Sequence, residues 1–179
     1  MKDRTEQIKD EWLVLRSQDG DAQAFNQLIL RWQDRLWRHA RRLIRDDTEA
    51  WDVLQEAWVG IIRNLRRLDD PRAFSQWAYR IVTFKCVDHV RHRKRQRQLN
   101  KELPNQVAEQ SGKYEEIEIL RLALQDLSVD QIAVLSLFYK EELRIEQIAD
   151  VLKIPEGTVK SRLHNARNNL KKRMERRQK

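Results

Sequence analysis

The chain has 179 residues, 40% hydrophobic and 36% charged, with a formal net charge of +8. That length holds one or two domains. Four glycines and three prolines are too few for the turns of an all-β fold, and one cysteine excludes a disulfide framework or a multi-cysteine zinc site. With no run of 18 apolar residues and no apolar core in the opening MKDRTEQIKDEW, the composition predicts a soluble, mostly helical, cytoplasmic protein.

Residues 5–16 predict a short first helix. From Asp21, an N-cap candidate after Gly20, the apolar positions Phe25, Leu28, Ile29, Trp32, Leu36, Ala40, Leu43 and Ile44 recur at intervals of three and four, the spacing of one helix face. A second long helix is expected from about residue 47 through Trp51, Leu54, Ala57, Trp58, Ile61, Ile62, Leu65 and Leu68. The step Asp69-Asp70-Pro71 stops it, because helical geometry is disfavoured immediately before proline. A third spans 74–97, with Trp77, Ile81, Phe84, Val87 and Val90 leading into RHRKRQR at 91–97.

Residues 98–113 lose this periodicity and contain Pro104 and Gly112, which predicts a flexible linker. All six tryptophans precede it, which argues for two separate cores, one in 1–97 and one in 114–179. Past the linker, 114–127, 129–139, 145–152 and 155–173 read as four helices with short connections. The expected fold is all-α, two small helical domains joined by the linker.

The positive charge is concentrated. Residues 157–179 hold nine Lys/Arg and one acid, residues 91–97 hold five and none, and 98–156 carry a net −6. Clustering of this kind costs self-repulsion that a polyanion relieves, which points to nucleic acid.

The sharpest motif lies in the second half. Ile145, Ile148, Ala149 and Leu152 form the apolar stripe of a short helix, Ile154 plugs a turn, and Pro155 opens a second helix with the stripe Val159, Leu163, Ala166 and Leu170. Two helices at this spacing are a helix-turn-helix, whose second member enters the major groove. Glu156, Lys160, Ser161, His164, Asn165 and Asn168 fall opposite the stripe with side chains suited to base edges, while Arg167, Lys171 and Lys172 suit phosphates.

Taken together, the two halves resemble bacterial RNA polymerase sigma factors of the extracytoplasmic-function (ECF) group, from about Gly20 to Arg173. GDAQAFNQLILRWQDRLWRHARRLI resembles the opening helix of their region 2, DDTEAWDVLQEAWVGIIRNLRRL the helix that docks on the polymerase clamp, and FSQWAYRIVTFKCVDHVRHRKR the helix that melts and reads the minus-ten element. The helix-turn-helix resembles region 4, which reads the minus-35 element. The resemblance implies core-polymerase contacts from Asp52, Gln55 and Glu56. It implies minus-ten contacts from Arg72, Tyr79, Arg80, Phe84, Lys85, Asp88, Arg91, Arg93 and Lys94, with the loop 69–76 matching the segment that captures a flipped base. Thr158 and Arg162 join the recognition-helix residues above as implied minus-35 contacts. Three positions depart from the family pattern: Trp51 replaces an acid, Phe84 an Asn and Asn165 an Arg. The implied partners are core RNA polymerase, promoter DNA and an anti-sigma factor that is often membrane-linked.

Enzymatic readings find little support. Cys86, His89 and His92 share a helix stripe, but Arg91, Arg93 and Lys94 crowd it and no fourth ligand is near in sequence. There is no Gly-rich phosphate loop and no carboxylate cluster, so no metal, cofactor or small-molecule substrate is expected. The alternative is a stand-alone helix-turn-helix regulator of operator DNA, for which Asp52, Gln55, Glu56 and the basic third helix would be superfluous. The chain's end at Lys179 argues against a fused regulatory domain.

Overall fold

The computed structural model describes residues 4–99, 120 and 122–177. These are mainly helical, with no strand among them. Residues 100–119, which contain most of the expected linker and the start of the helix expected at 114–127, lie outside the described residues. Backbone proximity divides the chain into two compact units, the first mainly residues 1–86 and the second mainly 87–149 and 154–179.

The first unit is built on four helices: α1 (Arg4–Gln18), α2 (Ala22–Ile44), α3 (Asp47–Asn64) and the first half of α4 (Phe74–Leu99). Asp21 caps α2 as its sequence position suggests, accepting from the backbone N–H of Gln23 at 2.9 Å and of Ala24 at 3.1 Å. The Ala24 amide and the Arg16 guanidinium beside it hold the Asp21 carboxyl below its ordinary pKa. Gly20 supplies φ +95° in the tight turn before that cap, a conformation that a side chain resists. Arg31 on α2 reaches Asp10 at 2.9 Å and Glu6 at 2.7 Å, clamping α1 to α2.

The interior follows the heptad-like spacing. Val14, Leu28, Leu36, Leu54, Ile61 and Val82 are fully buried around Trp32, whose ring meets Phe74 edge-on at 5.4 Å and Tyr79 at 6.0 Å. Each such aliphatic side chain contributes about 1.5–3 kcal/mol on burial, and Ile61→Ala would cost about 2–5 kcal/mol because the cavity cannot fully collapse.

The chain leaves α3 earlier than its apolar spacing predicts. The helix ends at Asn64 and tightens into a 3₁₀ turn at Leu65–Arg67. Leu65 and Leu68 still reach the core, while their carbonyls accept from the Gln18 side chain at 2.9 and 2.8 Å. The Leu65 carbonyl also closes the 3₁₀ turn, accepting from the Leu68 N–H at 3.1 Å, so it serves both bonds while Gln18 ties the end of α3 to α1. In turn, α4 runs to Leu99, two residues past its expected end at residue 97.

The second unit contains α5 (Val129–Tyr139), α6 (Ile145–Leu152) and α7 (Glu156–Arg177). Ser128 and Gln131 form a reciprocal capping box at the start of α5. The core includes Ile132, Ala133, Val134 and Leu137 of α5, Ile148 of α6, and Val159, Leu163 and Ala166 of α7. The α6–α7 turn closes with the Ile154 N–H donating to the Ala149 carbonyl at 3.2 Å, and Lys153 takes φ 53° to make it. Pro155 stands just before α7, its carbonyl accepting from Thr158 and Val159.

Candidate nucleic-acid and polymerase interfaces

Three surfaces carry the residues singled out in the sequence. The first is the outer side of α3. Its inner side, Ala50, Val53, Leu54, Ala57, Trp58 and Ile61, is buried, which leaves Asp52, Gln55 and Glu56 exposed together. Glu56 is engaged from α4, the Lys85 ammonium lying 3.0 Å from its carboxylate. An exposed pair of this kind is worth roughly 0–1 kcal/mol and can be exchanged for an external partner.

The second surface is α4. Phe84, Lys85, Asp88, Arg91 and Lys94 are exposed, and Arg80 and Arg93 are half-buried. Arg72 lies in the 3₁₀ turn Pro71–Ala73, where it pairs with Asp70 at 2.9 Å and holds that carboxyl below its ordinary pKa. Tyr79 requires a correction. It is 2% exposed, wedged edge-on between Trp32 and His39, so it offers no ring face to a base. The aromatic groups that do reach the surface of α4 are Phe84 and the half-buried Trp77. At 100° per residue, 77, 80, 84, 88 and 91 share one stripe whereas 79 points away from it, a signal present in the spacing.

Behind this stripe His39 is fully buried, sharing a 2.8 Å hydrogen bond with Thr83 of α4. Burial first, and the nearby Arg42 charge second, press its pKa down to about 3, so it is neutral near pH 7. The Cys86 thiol is also buried and pushed up to about 12 by desolvation. A thiol this protonated is a poor ligand and nucleophile. Among the described residues no group of three or more His, Cys, Asp or Glu is arranged to hold a metal ion.

The third surface is α7. Lys160, Ser161, His164, Asn165, Asn168, Lys171 and Lys172 are exposed opposite the buried stripe, with Glu156 at the helix start and Thr158 half-buried. Asn168 Nδ2 donates to His164 Nε2 at 2.8 Å, fixing a donor–acceptor pair one turn apart. Two cations turn inward: Arg162 is half-buried and 3.4 Å from Asp130, and Arg173 pairs with Asp126. Arg162 thereby ties α7 to α5. On the other flank the Arg167 guanidinium lies over Phe138 and Tyr139, 5.5 and 5.4 Å from the ring centroids, while remaining exposed.

Comparison with known proteins settles what these helices belong to. Residues 28–96 match the family described as sigma-70 region 2, and residues 117–170 match sigma-70 region 4. The chain is 30% identical to the ECF RNA polymerase sigma factor SigW of Bacillus subtilis, over 87% of this chain and 91% of the relative. It is an ECF sigma factor of the sigma-70 family. It is also 32% identical to the RNA polymerase sigma-H factor of Pseudomonas aeruginosa, over 93% of this chain and 94% of that one. The fold is similar to that of the sigma factor RpoE from Bartonella quintana, solved in complex with the anti-sigma factor NepR. The TM-score is 0.67 at 22% identity, covering 84% of this chain and 96% of that one.

Sigma factors are non-enzymatic initiation factors that direct core RNA polymerase to promoter DNA, and the surfaces of this sigma factor are surfaces for binding. Among the described residues no helix is long and apolar enough to cross a membrane.

Proposed function

We propose that residues 1–97 of this sigma factor dock on core polymerase through Asp52, Gln55 and Glu56 and engage the minus-ten element along α4. On this reading 98–113 is the linker, and 114–179 reads the minus-35 element through α7. The observation that carries the reading is the sidedness of α7: Val159, Leu163 and Ala166 are buried while Lys160, Ser161, His164, Asn165 and Asn168 stand exposed opposite them. Hydrogen-bonding side chains in the middle of that face suit base edges, and Arg167, Lys171 and Lys172 suit the phosphates. Along α4, Arg72, Arg80, Lys85, Arg91, Arg93 and Lys94 supply charge. Phe84 supplies a ring face for an unstacked base, since every base has one. Asp88 flanks them. Arg162 acts by holding α7 to α5.

The test is run-off transcription with core polymerase from the gene's own upstream region, comparing wild type with Asp52→Ala/Gln55→Ala/Glu56→Ala. Loss of core binding and transcript, with helix content retained, supports the docking assignment. Wild-type core affinity in the folded triple variant refutes it. DNA-dependent repression without core polymerase would instead favour a stand-alone regulator.

We further propose a cytoplasmic protein held by an anti-sigma factor. The likeness of its fold to RpoE, which was solved bound to one, supports this partner. Co-purification from cells with a protein that blocks core binding is the check.

A further inference from the structure

The outer side of α3 is not purely polar. Trp51, Val59 and Ile62 are 40%, 45% and 53% exposed, interleaved with Asp52, Gln55 and Glu56. At 100° per residue, Val59 and Asp52 run along the middle of this side, with Trp51 and Ile62 toward one edge and Glu56 on the other. The Glu56 edge borders α4 through Lys85. The Trp51 edge borders α2, where its ring stacks on Trp37 with centroids 5.5 Å apart and planes inclined by 25°.

A large aromatic side chain that is both open to solvent and held in place is ready to bind at low entropic cost. Trp37 supplies the hold, since stacking fixes the Trp51 ring while leaving part of it open. An indole face carries negative electrostatic potential and attracts cations, and it takes a guanidinium better than an ammonium because the planar, weakly hydrated group can lie flat on it. Asp52, the next residue, points about 100° round the helix from Trp51 and so does not face the ring. The edge is complementary to an arginine through the indole, which takes the plane of its guanidinium.

We infer that Trp51, held by Trp37, receives an arginine of core RNA polymerase and so extends the docking face of Asp52, Gln55 and Glu56 onto an aromatic edge. This rests on the docking reading proposed above. It makes part of the docking contact insensitive to salt, because a desolvated ring contact is screened less than exposed carboxylates.

The experiment titrates labelled full-length protein with core polymerase at low and high salt. It compares Trp51→Ala, Trp51→Phe and Trp51→Glu with the Asp52→Ala/Gln55→Ala/Glu56→Ala variant. Trp51→Ala is expected to weaken binding roughly 3- to 30-fold, the range of a cation–ring contact from exposed to desolvated. Trp51→Phe should fall between it and wild type. Trp51→Glu, which offers the same cation a charge in place of a ring, should recover most of the affinity at low salt and lose it at high salt.

Wild-type affinity in Trp51→Ala overturns the inference, as does a Trp51→Glu variant no tighter than Trp51→Ala at low salt. If Trp51→Ala does not fold, a steeper salt dependence in Trp51→Glu than in Trp51→Phe supports the inference and equal dependence overturns it. The triple variant separates the two ideas. Weak binding there beside unaffected Trp51 variants removes only the aromatic contact, whereas wild-type binding there removes the docking reading itself.

Discussion

Acid should destabilise the first helical unit well before its carboxylates titrate. His39 is fully buried on α2, bonded to Thr83 and edge-on to Tyr79 at 5.2 Å, with its pKa lowered from 6.5 to about 3. The unfolded chain takes up a proton at His39 below about pH 6.5, and the folded chain does not until about pH 3. Stability from the neutral imidazole is therefore complete above pH 6.5 and is lost as pH falls, at up to about 1.4 kcal/mol per unit. Integrated down to pH 5, the loss is about 2 kcal/mol, a large share of the 5–15 kcal/mol typical of a domain. The depressed carboxyls of Glu6, Asp21 and Asp70 also favour the folded state at neutral pH, but they start from 4.5, 3.8 and 3.8 and lose that contribution only lower still. Urea unfolding followed by tryptophan fluorescence reports this unit alone, because all six tryptophans precede residue 98. The urea midpoint should fall between pH 7 and pH 5 at constant m-value, and His39→Gln, whose amide can still meet Thr83, should flatten that dependence. A flat wild-type profile, or the same slope in His39→Gln, would refute the burial argument.

Four further outcomes test α5, α7 and the turn before α7. Lys160→Ala should cost about 1–3 kcal/mol on a minus-35 site and relax preference at particular base pairs. Lys172→Ala should instead weaken all sequences alike and reduce the salt slope by about one, as titrations of promoter variants at several salt concentrations would read. Tyr139→Ala should weaken DNA binding by about 0.5–1 kcal/mol when Arg167 is present and by nothing in an Arg167→Ala background, since the ring's role is to hold that guanidinium; additive losses in the double-mutant cycle would contradict it. Lys153→Gly should raise the melting temperature of the protein, by relief of about 1 kcal/mol of left-handed strain offset in part by the freedom glycine regains on unfolding.

Much of this molecule is legible in its residues one at a time. The spacing of Leu28, Trp32 and Leu36 in α2, and of Val159, Leu163 and Ala166 in α7, specifies helices and their buried sides, because 3.6-residue periodicity is a property of the chain itself. The Asp21 cap is equally local, needing only its own next three residues. The tilt of the charge toward α7 and the end of α4 is read directly from the sequence, and with it the affinity for a polyanion. What periodicity leaves open is which member of a helix face meets which neighbour. Spacing alone puts Tyr79 and Trp77 on different sides of α4, but which of those sides is covered is decided by the approach of α2, carrying Trp32 and His39. The Trp37–Trp51 stack, the Glu56–Lys85 pair and the seat of Arg167 on Phe138 and Tyr139 likewise join residues from different helices. Their contacts are fixed by the rotation and crossing of two helices, which depend on packing the whole core, and so only the tertiary structure decides them.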